Sequence, residues 1–183
     1  LINTSFIRQI TSAYQNAGYL IQDSRQIPGV NADLWVKSAR KLRLGFARVW
    51  DHNLWINWEG QAEASPQTIR RIYQSFSEKI NMDFQVPHAL RMTIPNLTLV
   101  AYASTPFPAD IISFAQEELL HPWYGGEVGQ LILVNTANHV VTSLKTLSVA
   151  GNPKPGAISL GYAADMVRGI AKDAANSIGD VGK

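Results

Sequence analysis

Apolar residues recur every three to four positions at Phe6, Ile7, Ile10, Tyr14 and Ala17, which predicts a helix capped by Thr4 or Ser5 and ended by Gly18. Residues 22–40 break that period, and Pro28-Gly29 marks a turn within what reads as a connecting segment. From Leu42 to Gly60 the period changes to two. The run LRLGFARVW-DHN-LWINWEG predicts a β-hairpin with Asp51-His52-Asn53 as a three-residue loop, pairing Trp50 with Leu54. An odd loop gathers Leu42, Leu44, Phe46, Trp50, Leu54, Ile56 and Trp58 on one face. A two-residue loop would place Asn57 and Glu59 among the leucines. Arg48 then falls on the apolar face, where it needs a carboxylate, carbonyl acceptors or an exposed rim.

Ser65-Pro66 predicts a helix start, with Ile69, Ile72, Tyr73, Phe76 and Ile80 as the buried stripe. The nearly unbroken apolar run LTLVAYA (97–103) predicts a strand covered on both faces. A helix over about 109–120 follows Pro106 and Pro108, with Ile111, Ile112, Ala115 and Leu119 inward. QLILVN (130–135) and HVVTSL (139–144) predict a second hairpin. GNPKPG (151–156), within residues 151–157, predicts a loop before a C-terminal helix over roughly 158–178. Two hairpins and a buried central strand imply a single α+β domain over 1–183, with one mixed sheet of about five strands and helices packed on it.

Residues 97–119 (LTLVAYASTPFPADIISFAQEEL) resemble a strand-turn-helix unit of restriction-endonuclease-like folds. That resemblance implies an acidic residue and a Glu-x-Lys type pair that hold magnesium. No predicted strand carries the pair: Glu59 is followed by Gly60-Gln61 and Glu127 by Val128-Gly129. No phosphate loop, dinucleotide glycine fingerprint, nucleophile elbow or zinc-protease pair is present either. None of the histidines has a second at metal-ligand spacing, so neither a metal nor a cofactor is expected.

Only 16% of residues are charged and 46% are hydrophobic, which favours a compact fold over disorder. No apolar run approaches the ~20 residues of a membrane-spanning helix. The expected location is the cytoplasm, although the chain opens on Leu1 and leaves N-terminal processing open. The absence of cysteine removes disulfides and thiolate chemistry. Net charge is +2, unevenly spread: residues 1–91 hold eleven basic and seven acidic side chains, residues 92–183 five and seven.

Three functional readings follow. The first is a non-enzymatic interaction domain that binds a protein partner or its own copy, with Trp55 on the polar face of the predicted hairpin as an exposed anchor. The small residues of the C-terminal helix (Ala163, Ala164, Gly169, Ala171, Ala174, Ala175) offer a seam for a dimer. The second is nucleic-acid or other polyanion binding. Lys37, Arg40, Lys41, Arg43 and Arg48 form a basic stretch with no acid between Asp33 and Asp51. The third is a small-ligand or hydrolytic site in HPWYGGEVGQ (121–130), where Trp123 and Tyr124 grip a ligand, His121 and Glu127 supply polar groups, and His139 and Arg48 add to them. The competing structural account of 121–127 is a corner, with Pro122 stopping a helix, Gly125-Gly126 turning and a strand starting near Val128.

Overall fold

The structure is a computed structural model that describes residues 2–39, 42–44, 47–59, 65–84, 87, 91, 93–121, 126–138, 140–144, 148–149, 152–153 and 169. Helix α1 (Ile2–Asn16) leads into β1 (Tyr19–Gln22), a 3-10 turn (Ser24–Gln26), β2 (Leu34–Ser38), β3 (Leu42–Leu44) and β4 (Ala47–Asn57). Then come α2 (Pro66–Met82), β5 (Thr93–Ala103), α3 (Ala109–Glu117), β6 (Val128–Asn135) and β7 (Val140–Thr142), followed by β8 (Ser148–Val149) and β9 (Asn152–Pro153). The fold is α+β with one mixed sheet, ordered β1-β2-β4-β5-β6-β7, and β3 pairs with β4 beyond the end of β2. The sheet is wider than the five strands expected. β4, β5 and β6 run parallel; β2 and β7 run antiparallel to their neighbours.

Parallel neighbours need crossovers, and α2 and α3 supply them. Both pack on one face of the sheet. Ile69, Ile72, Phe76 and Ile80 of α2, with Ile111, Phe114 and Ala115 of α3, share a core with Trp35, Leu54, Ile56, Leu97, Leu99, Leu131 and Leu133. Helix α1 takes the other face, where Phe6, Ile10 and Tyr14 meet Leu34, Val36, Trp55, Val100, Tyr102, Ile132 and Val134. Two-sided cover explains why β5 and β6 are apolar without alternation. The Ser65 side chain accepts the Thr68 amide at 3.2 Å and Pro66 opens α2, as the local sequence dictates. Gly18 adopts φ +81°, the left-handed turn that closes α1 before β1.

The first hairpin differs from expectation. β4 runs without a break from Ala47 to Asn57, so Asp51-His52-Asn53 is no loop. It lies mid-strand in β4, where Lys37 pairs with His52, Val36 with Asn53, and Asp51 with Asn96. A three-residue loop and an uninterrupted strand place Trp50, Leu54, Ile56 and Trp58 on the same face, so alternation alone did not separate them. The buried partners described below separate them, because each of the three polar side chains makes a hydrogen bond inside the sheet.

Residues 34–38, expected within a connection, are strand, and GNPKPG contributes Asn152–Pro153 to a short pairing with Ser148–Val149. The second hairpin forms between β6 and β7, joining Leu133 to Thr142 and Asn135 to Val140. The C-terminal helix and its alanine seam lie outside the described residues, apart from helical Gly169.

Candidate functional site

Asp51, His52 and Asn53 are all buried, and the two faces of the sheet hold them differently. Strand alternation turns Asp51 and Asn53 toward the α1 face. There the Asp51 carboxylate accepts the Tyr19 hydroxyl at 2.5 Å, Asn53 Nδ2 at 3.0 Å and Asn96 Nδ2 at 2.7 Å. Its own amide donates to Ser38 Oγ at 3.1 Å. Burial lifts the Asp51 pKa above the ordinary carboxylate value, and the three donated hydrogen bonds pull against it. Holding both amide nitrogens on Asp51 turns the carbonyls away. Asn53 Oδ1 and Asn96 Oδ1 are buried and have no partner among the described residues.

His52 turns to the α2 face. Its Nδ1 accepts the Trp35 indole N–H at 3.3 Å. An indole only donates, so the neutral imidazole carries its proton on Nε2. Burial, helped by the charge on Lys37, pushes the pKa of His52 down to about 3, which keeps it neutral at physiological pH. His52 lines a cavity of about 350 Å³ with Lys37, Trp50, Ile80, Asp83 and Phe84. Two cation–π pairs stand in and beside that lining. The Lys37 ammonium lies 4.8 Å from the Trp50 ring centroid, and the Arg91 guanidinium lies 4.3 Å from that of Phe84. Asp83 meets Lys79 at 3.6 Å, one helical turn away. Arg48 is exposed on β4, two residues before Trp50 and on the same face by alternation. Positions 43 and 48 are direct cross-strand partners, which brings two arginines of the basic stretch together.

The other candidate residues fall elsewhere. Trp55 is fully buried: its indole donates to Tyr14 Oη at 3.3 Å and packs on Phe6, Tyr14 and Tyr102. The expectation of an exposed anchor is corrected, because α1 covers the face that alternation had marked as polar. Glu127 is buried rather than at a pocket lip. It accepts Tyr73 Oη at 2.6 Å, Ser77 Oγ at 2.8 and 2.9 Å, and Asn81 Nδ2 at 2.7 Å, all from successive turns of α2. Both carboxylate oxygens are thereby engaged, and the Tyr73 hydroxyl is held protonated by burial and by the adjoining charge.

Gly129 makes this clamp possible, since a Cβ there would stand 2.1 Å from Tyr73 Oη. His121 forms a backbone bridge with Gly129, so the two ends of the 121–129 segment are pinned together. His121 is thus tied to Gly129, and Glu127 is held against α2. Trp123, Tyr124 and His139, along with Arg40 and Lys41, lie outside the described residues.

Among the described residues no group of three or more His, Asp and Glu side chains converges as a metal site would require. No helix among them is long and apolar enough to cross a membrane. Comparison with known proteins finds no matching family model, curated protein or solved structure.

Proposed function

We propose that the chain binds a polyanion, with nucleic acid as the class, at the end of the sheet where Lys37, Arg48 and Arg91 lie around the cavity floored by His52. The observation that carries this reading is Lys37 over Trp50 within the cavity lining. An ammonium held on an aromatic face keeps its charge available to a phosphate, while the ring offers a stacking surface. Asp83 is partly neutralised by Lys79, so the local balance stays basic.

Backbone phosphate contacts make affinity fall with salt, by about 0.7 in the log–log slope for each single-strand phosphate neutralised. Fluorescence anisotropy with a labelled oligonucleotide across a salt gradient is the test. Binding whose slope shrinks in Lys37→Gln and Arg48→Gln supports the reading. An affinity indifferent to both substitutions ends it.

A second reading, association with a protein or a second copy, has its own support. Edge strand β1 leaves Leu20 52% and Ile21 42% exposed. An apolar edge strand invites pairing with another strand. Light scattering of the unaltered chain against Leu20→Lys distinguishes the two: a dimer lost in the variant favours self-pairing, and a monomer in both removes it.

A further inference from the structure

We infer that the cavity beneath Lys37 receives one unstacked nucleobase of a single strand, an inference that rests on the nucleic-acid reading above and deepens it. The lining is built for a flat, anionic ligand. Trp50 and Phe84 supply aromatic walls, each carrying a cation on its ring: Lys37 on Trp50 and Arg91 on Phe84. Such a wall is polarised toward electron-rich rings and their phosphates. His52 adds a fixed donor. With Nδ1 held by Trp35, its Nε2–H is the one remaining polar group of the ring, a partner for a carbonyl or ring nitrogen on a base edge. Asp83 brings an acceptor suited to an exocyclic amine.

The volume, about 350 Å³, sits at the low end of the roughly 300–1,000 Å³ of small-molecule sites. It admits one ring system and leaves the phosphates outside, where Arg48 is exposed on the same face. A base inside a duplex cannot reach such a cavity without leaving its stack, which selects single strands.

The experiment compares a ten-nucleotide thymidine oligomer with a fully abasic oligomer of the same length and charge, on the unaltered chain and on Phe84→Leu. Leucine keeps the apolar bulk of position 84 and removes the flat ring. The expected result is about tenfold or more weaker binding of the abasic oligomer. That ratio should fall toward one in Phe84→Leu, with the salt slope unchanged.

Equal binding of both oligomers to the unaltered chain overturns the base pocket and leaves the phosphate surface standing. A ratio that survives in Phe84→Leu places base contacts elsewhere and also overturns it. Binding of neither oligomer removes the nucleic-acid reading and the pocket with it. Should Phe84→Leu fail to fold, adenosine monophosphate and ribose 5-phosphate compete against the thymidine oligomer on the unaltered chain. A nucleotide about tenfold the better competitor supports the pocket, and equal competition overturns it.

Discussion

Asp51 and Asn53 turn to one face of β4 and His52, between them, turns to the other, and the two faces use their polar groups in opposite ways. On the α1 face the carboxylate is sealed: three neutral donors converge on it. On the α2 face the imidazole is also held, by Trp35, but it lines a cavity with charged and aromatic neighbours. A sealed network fixes register and strand order, since Tyr19, Asn53 and Asn96 come from three strands that must align for Asp51 to be satisfied. An open one leaves chemistry unspent. The same contrast separates Glu127, whose oxygens are consumed by α2, from Asp83, which is exposed at the end of that helix.

Breaking the sealed side has the largest effect. Asp51→Ala strips the shared acceptor and orphans three buried donors, and the expected loss is about 3–5 kcal/mol in urea unfolding. Gly129→Ala comes next. Its Cβ would collide with Tyr73, whose hydroxyl is pinned to Glu127, so overpacking costs about 1–3 kcal/mol. A thermal melt checks it, and Tyr73→Phe in the same background leaves the loss in place because the ring still fills the space.

The open side is sharpened by pH. His52 is lowered from 6.5 to about 3, so the stability it confers is full above pH 6.5 and is lost as pH falls toward 3. The loss grows steadily as pH falls within that window. Asp51 acts in the opposite sense: its raised pKa favours the fold below the ordinary value of 3.8, and that contribution is lost as pH rises through the folded pKa. Unfolding measured at pH 7 and 5.5 in the unaltered chain and in His52→Gln isolates the histidine, and the variant should show the shallower dependence. The smallest stability change belongs to Lys37→Gln, within about 0.5 kcal/mol, because a partly exposed cation–π pair contributes little to folding.

Much of the scaffold was legible in local pattern. Ser65-Pro66 fixed the start of α2, and its five-residue stripe is the one that packs. The unbroken run at 97–103 announced a strand covered on both sides, and the β6–β7 hairpin followed from two strand-like runs on either side of a short turn at 136–138. The site was not legible, for a physical reason. Asp-His-Asn has the composition of a turn, and only contacts distant in sequence make it a strand: Tyr19 is 32 residues away from Asp51 and Asn96 is 45. Periodicity sees neighbours a few residues apart, so it cannot register partners of that kind.

The parity of Trp50, Leu54 and Ile56 was equally compatible with a continuous strand that turns His52 inward beside them. Trp55 failed for the complementary reason. Its strand face was assigned correctly as distinct from the leucine face, but a helix from the start of the chain covers it. Of the basic stretch, Lys37 was singled out by charge. Its neighbours Trp50, His52, Asp83 and Phe84 reach the cavity only through the pairing of β2 with β4 and the packing of α2.

The central claim is that the open side binds nucleic acid and the sealed side only holds the sheet. Salt-dependent anisotropy of a labelled single-stranded oligomer tests it most directly, on the unaltered chain, on Lys37→Gln with Arg48→Gln, and on the sealed-side variant Tyr19→Phe. The account predicts a log–log slope lowered by about 1.4 in the double variant and unchanged in Tyr19→Phe. An unchanged slope in the double variant, or an equal loss in Tyr19→Phe, would contradict it.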